Sequence, residues 1–102
     1  MAKTAPNFAP QLLINGTSRA AQGGATFDLV HPATGAQIGK IPLASPADVG
    51  AAINAARTAF DEGPWRSITP ADRALLLLRL ADALAAESDE IADMEVWQTG
   101  TA

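Results

Sequence analysis

Ser45-Pro46-Ala47-Asp48 and Thr69-Pro70-Ala71-Asp72 write one helix-start signal twice, and between them stands Gly63-Pro64-Trp65-Arg66. A hydroxyl residue takes the N-cap and proline the first helical position, where its missing N–H costs nothing. An aspartate three residues after the cap reaches back to the cap N–H and faces the positive end of the helix dipole. From Ser45 to Gly100 the chain therefore reads as helix, aromatic turn, helix, helix.

The first helix is expected over about 46–61, with Val49, Ala52, Ile53, Ala56 and Phe60 on one face. Gly63 suits its C-cap and Pro64 cannot continue it. Trp65 then reads as an apolar staple between two helices, a commoner use of such a ring than ligand stacking. The second helix is expected over about 70–86. Ala74, Leu77, Leu78, Leu80, Ala81 and Leu84 share one arc, while Asp72, Arg73, Arg79, Asp82 and Glu87 lie opposite. Leu75 and Leu76 break this division by falling among the charged positions. They point to burial against polypeptide outside this chain. A third helix is expected over about 89–99, with Ser88 at its start, Asp89 and Glu90 in its first turn, and Ile91, Met94 and Trp97 on its apolar side.

Everything before Ser45 is a small β-rich preface. Residues 1–10 read as a flexible arm. Strands are expected over about 11–14, 26–30 and 36–43, a hairpin plus one further strand. Asn15-Gly16 marks a turn, and the polar stretch from Thr17 to Ala25, with Gly23-Gly24, reads as loop. His31-Pro32-Ala33-Thr34-Gly35 is a tight reversal, closed by a glycine able to turn left-handed. The fold class is α+β, a short three-strand unit followed by three helices.

Composition narrows the function. The 102 residues suffice for one small domain. A net charge of −4, with seven scattered basic residues, argues against nucleic acid as a partner. Absence of cysteine removes disulfides, thiolate metal sites and a thiol nucleophile, and suits a reducing cytoplasm. Residues 1–10 lack the apolar stretch of a signal peptide. The longest apolar run, Ala74 to Leu78, is far shorter than the ~20 residues that span a membrane. A cytoplasmic chain without membrane or nucleic-acid partners is the expectation.

No catalytic constellation emerges. His31 sits in a turn, and one histidine makes neither a metal site nor an acid–base pair. Gly16, Gly23-Gly24 and Gly35 form no phosphate-binding fingerprint. Glu87, Asp89, Glu90, Asp93 and Glu95 read as a solvated helix face, because a cation site needs oxygens converging from turns. Arg57, Arg66, Arg73 and Arg79 could bind an anion if gathered, yet pairing with nearby carboxylates is the simpler use and is the expectation. No residue is assigned as catalytic, cofactor-binding or metal-binding.

The order of these pieces resembles the N-terminal end of the aldehyde dehydrogenase superfamily. The resemblance is carried by Leu12-Leu13-Ile14-Asn15-Gly16, by His31-Pro32-Ala33-Thr34-Gly35 and by Ala55-Ala56-Arg57-Thr58-Ala59-Phe60. It continues through Pro64-Trp65-Arg66, the run from Arg73 to Asp82, and Glu95 to Gly100. It covers the chain from Leu12 onward, and it rests on the order and spacing of motifs that are individually weak. It implies the first part of an α/β Rossmann-like cofactor domain. In full-length members it implies oxidation of aldehydes to acids with NAD or NADP, through a cysteine thiolate, an activating glutamate and an oxyanion-stabilising asparagine. Those groups lie downstream in the family, so this chain is expected to be an N-terminal fragment, incompetent alone and binding no cofactor by itself. Its expected partner is the missing remainder of such an enzyme or a homologous chain. The alternative is a stand-alone helical module that docks on a full-length relative or another partner.

The chain departs from the family pattern at His31, at Gln98 and at Thr101-Ala102, which stand where Lys-Pro would. His31 replaces the usual Asn of the turn. Gln98 stands where many members carry an Asp that helps hold a structural cation, with a backbone carbonyl near Val30, so that site is not carried over.

Overall fold

The computed structural model describes residues 5–6 and 8–101. Two separate antiparallel hairpins precede three helices. Strands β1 (Leu12–Ile14) and β2 (Thr17–Arg19) pair Leu12 with Arg19 and Ile14 with Thr17. Strands β3 (Thr26–Val30) and β4 (Gln37–Pro42) pair Thr26 with Pro42 and Leu29 with Gly39, with a register irregularity at Val30. The helices are α1 (Pro46–Glu62), α2 (Pro70–Ala86) and α3 (Ser88–Thr99), and a short 3-10 turn, Pro64–Arg66, follows α1.

Strand β2 corrects the loop expected from Thr17 to Ala25, and the preface holds four strands rather than three. Asn15 and Gly16 both adopt positive φ, 51° and 76°. That pair of left-handed residues makes the two-residue turn whose twist matches a hairpin. Thr17, Ser18 and Arg19 then pair through backbone alone, without the apolar alternation that marks a strand in sequence.

The expectation of a flexible arm over 1–10 falls partly on residues 1–4 and 7, which lie outside the described residues. Phe8, in the same stretch, is one of the few buried side chains and bridges Gly39 in parallel. A Cβ on Gly39 would stand 2.6 Å from Phe8 Cβ and 2.9 Å from the Phe8 carbonyl oxygen. Glycine is thus what lets this backbone approach. Gly39→Val is expected to lift Phe8 from the hairpin at a cost of about 1–3 kcal/mol, the usual range for overpacking. Limited proteolysis checks it: cutting within residues 5–10 accelerates, while the β1–β2 hairpin stays protected.

The two helix-start signals fold differently. At α1 the capping box is complete: Ser45 Oγ accepts from Asp48 N–H at 3.2 Å, and Asp48 accepts from Ser45 N–H at 2.8 Å. At α2 Thr69 Oγ1 accepts from Asp72 N–H at 3.1 Å, but Asp72 returns no bond to the cap. Asp48 is held by neighbours from the hairpin that Asp72 lacks. Gly63 ends α1 for a reason other than left-handed freedom, since its φ is −75°. A Cβ there would collide with the Ala59 carbonyl oxygen, which the Gly63 N–H contacts at 3.0 Å. Gly100, at φ 75°, does close α3 in the left-handed way.

These elements enclose almost no interior. Among the described residues the buried apolar side chains are Phe8 and Ala21. The accessible surface is 7690 Å², whereas a compact monomer of this mass exposes about 5,400 Å². The radius of gyration is 17.4 Å, against about 13 Å for a compact domain of this length. On α2 the sequence division into core and wet faces does not hold within the chain. Leu75 and Leu76 are 47% and 42% exposed, and the intended core leucines Leu77, Leu78, Leu80 and Leu84 are more exposed still. On α1 the apolar face lies partly over β1, yet Val49, Ile53 and Phe60 remain half exposed or more.

Candidate functional site

Among the described residues, three of the places where distant parts of the chain meet bear on a site. The first is centred on Asp48, buried to 2% exposure at the start of α1. Its carboxylate meets Arg19 of β2 at 2.6 Å, the Gln22 backbone N–H at 2.9 Å and the Ser45 N–H at 2.8 Å, and it accepts the Ser45 hydroxyl at 3.0 Å. Those bonds tie the first hairpin, the turn after it and α1 into one unit. The backbone N–H groups of Ser45 and then Gln22 hold the carboxyl well below the usual carboxylate range; burial opposes them, and Arg19 and the Ser45 hydroxyl add to them. Sequence reading found Asp48 as a capping residue but not as this junction. Arg19 lies 29 residues away, and no local pattern announces the pair.

The second place joins the β3–β4 turn to α3. His31 Nδ1 lies 2.8 Å from the Trp97 carbonyl oxygen, so that nitrogen carries the proton. Its ring stacks on Trp97 at 4.6 Å and 45°. The His31 backbone accepts from Gly35 N–H, and its N–H donates to Ala36, both at 2.8 Å. His31 is therefore a turn residue, as its setting implies, but its side chain also clamps a helix 66 residues on. Beside this clamp runs an open cleft of about 550 Å³, lined by Phe8, Ala9, Pro10, Leu29, Ile41, Met94 and Gln98.

The third place is the corner between α1 and α2. Trp65 lines a cleft of about 300 Å³ with Ala59, Phe60, Arg66 and Arg73, so it does meet residues of both helices, though it is only half buried. Of the four arginines expected to pair with carboxylates, Arg57 does so, with Asp61 at 2.8 Å. Arg73 instead donates to the carbonyls of Arg66 and Ile68, at 3.3 and 3.4 Å.

None of these places assembles a nucleophile with a base. Among the described residues no three His, Asp or Glu side chains converge on one point, and no helix is long and apolar enough to cross a membrane. Gly23 and Gly24 form a turn that leads into β3, not a loop opening onto a helix.

The sequence matches the aldehyde dehydrogenase family over residues 19–102. It is 42% identical over 90 residues to aldehyde dehydrogenase family 2 member B4, mitochondrial, of Arabidopsis thaliana, covering 88% of this chain and 17% of that protein. It is 41% identical over 90 residues to cytosolic 10-formyltetrahydrofolate dehydrogenase of Xenopus tropicalis, covering 88% of this chain and 10% of that one. The structure superposes on an NAD-dependent aldehyde dehydrogenase from Sinorhizobium meliloti with a TM-score of 0.86 and 40% identity, over 90% of this chain and 18% of that one. The chain thus spans less than a fifth of the length of each of these relatives.

Proposed function

Because this chain belongs to the aldehyde dehydrogenase family, we propose that it serves as the N-terminal supporting segment of an enzyme that oxidises aldehydes to carboxylic acids with NAD or NADP. By itself it does not carry out that reaction. The observation that carries this reading is the uncovered apolar surface. Leu77, Leu78, Leu80 and Leu84 all stand more than half exposed, and the total accessible surface exceeds that of a compact monomer by about 2,300 Å², well above the roughly 800 Å² that each partner buries in an ordinary interface. Helices so exposed suit a place on the outside of a larger sheet. The partner we propose is the remainder of such an enzyme or a homologous chain. Leu75 and Leu76 also suit the second reading, a free-standing module that docks on a full-length relative.

The residues present do not fit a dinucleotide. Both sheets are antiparallel hairpins, where a dinucleotide site uses the carboxyl ends of parallel strands. The N-terminus of α1 is filled by its own Asp48, so its amides are not offered to a pyrophosphate. No cysteine is present to form a thiohemiacetal. We therefore assign neither cofactor binding nor a catalytic step to this chain. We place it in the cytoplasm, in keeping with its lack of cysteine; relatives named cytosolic and mitochondrial both occur.

Sedimentation of the purified chain, with a dye for apolar surface, tests the reading. Strong dye binding and self-association are expected, with no aldehyde-dependent formation of NADH. A compact monomer that ignores the dye overturns the supporting role, and aldehyde-dependent NADH overturns the lack of activity.

A further inference from the structure

The tip of the first hairpin carries chemistry that its role as a turn does not use. Asn15 and Gly16 both stand exposed there, and their φ values of 51° and 76° make the turn type I′. Among the described residues the Asn15 side-chain amide has no hydrogen-bond partner, and neither the Gly16 N–H nor the Asn15 carbonyl makes a backbone bond. No atom from beyond its chain neighbours lies within 4 Å of where a Cβ on Gly16 would stand.

The Gly16 nitrogen, once it sheds its proton, is a nucleophile placed to close a five-membered ring on the Asn15 Cγ carbonyl. In the I′ turn that nitrogen points away from Cγ. Closure needs the Asn15–Gly16 peptide plane to turn over, which changes I′ into II′ while Asn15 keeps its positive φ. Both types close a two-residue hairpin, and the polar groups of that plane are tied to nothing described. Glycine at position 16 accepts the change in the sign of φ that the flip imposes. Asn54 is the contrast. It lies inside α1, where the next residue, Ala55, carries a side chain and its N–H belongs to the helical ladder.

We propose that Asn15 is a self-modifying site, where attack by the Gly16 nitrogen converts the residue to isoaspartate and aspartate. The N–Cγ bond forms as Gly16 gives up its proton; the Cγ–Nδ2 bond breaks, and Nδ2 leaves as ammonia with that proton. Water then opens the cyclic imide. Cleavage between the nitrogen and the Asn15 backbone carbon leaves isoaspartate, whose chain runs through Cγ, and cleavage of the new bond leaves aspartate. Nothing is oxidised or reduced: one water is consumed and one ammonia released. Isoaspartate lengthens the backbone by one carbon inside a loop whose length sets the pairing of Leu12 with Arg19. Arg19 then loses the register that holds it 2.6 Å from Asp48, and the junction loosens at its hairpin end. Aspartate keeps the loop length and with it the junction. The site does not depend on the supporting role proposed above.

Ageing the purified 102-residue chain at neutral and at mildly alkaline pH tests it. Tryptic peptides are fragmented to locate the amide-to-acid mass gain, and an isoaspartyl methyltransferase with labelled methyl donor reads isoaspartate. Asn15 is expected to convert several-fold faster than Asn54, faster again at alkaline pH, with isoaspartate the larger product. In the separated isoaspartate form the Gln22 amide should exchange hydrogen several-fold faster than in the unaged chain, and in the aspartate form it should not. A free peptide of residues 11–19 serves as the reference. Asn15 left intact while that peptide converts fully overturns the site, and so does conversion of Asn54 at the same rate as Asn15. Unchanged exchange at Gln22 in the isoaspartate form overturns the link to the junction.

Discussion

Asp48→Asn is expected to separate the first hairpin from α1 and to destabilise this chain more than any other single change. The amide keeps one acceptor oxygen where the carboxylate's two oxygens receive two backbone N–H groups, a guanidinium and a hydroxyl. Its NH2 group would point a donor at other donors. Arg19 would keep its half-buried position without a counter-charge, the arrangement in which removing one partner of an ion pair is most damaging. Amide hydrogen exchange at Gln22 and Ser45 reads the effect directly: both N–H groups lose protection, whereas the β3–β4 hairpin, which Asp48 does not touch, keeps its own. Unchanged exchange at those two amides would mean that the junction holds nothing.

The same carboxylate sets a pH dependence. Its folded pKa lies below the ordinary value of 3.8. The stability it contributes is therefore fully present above 3.8 and is lost as pH falls from there toward the folded value. Across neutral pH the contribution is constant. The Asn variant should accordingly lack the acid-side loss that wild type shows.

The second large effect concerns α2. Leu77→Glu, Leu80→Lys and Leu84→Glu combined are expected to leave the helix intact and to abolish most dye binding and self-association. Were these leucines core residues, each replacement would cost about 2–5 kcal/mol, and the triple variant would unfold. At 57%, 54% and 53% exposure, each change should stay within about 0.5 kcal/mol, as surface substitutions do. The charges at positions 77, 80 and 84 lie at helix-neighbour spacing with alternating sign, which supports the helix slightly. Circular dichroism and sedimentation together check this. Loss of helix in the triple variant would show that the leucines are packed in solution.

The helices were legible in the sequence because their signals are local. A cap, a proline and an acid within four residues decide a helix start wherever the rest of the chain lies, and α1 and α2 begin where those signals place them. The uncovered flank was legible for a related reason: Leu75 and Leu76 do not fit a one-sided helix, and neither is covered in the structure. What escaped was long-range or depended on backbone alone. Strand β2 is polar throughout and is defined by the turn before it. The burial of Phe8 depends on a glycine 31 residues later. The junction at Asp48 needed Arg19 and Gln22 from another element, and the His31–Trp97 clamp spans most of the chain. Arg73 looked like a surface cation because only geometry could show that its Nε is walled off.

The molecule measures 50 × 35 × 16 Å along its principal axes. Its least dimension is little more than the 10–12 Å width of one helix with its side chains, so both broad sides meet solvent. Melting such a sheet-like body wets little apolar area that was dry before, and that newly wetted area is what raises heat capacity on denaturation. The increment must then fall short of the ~1.2–1.5 kcal/mol/K usual for a hundred residues. With little surface buried the unfolding enthalpy is small as well, so this polypeptide is expected to lose its order gradually on warming instead of at a sharp midpoint, which calorimetry checks.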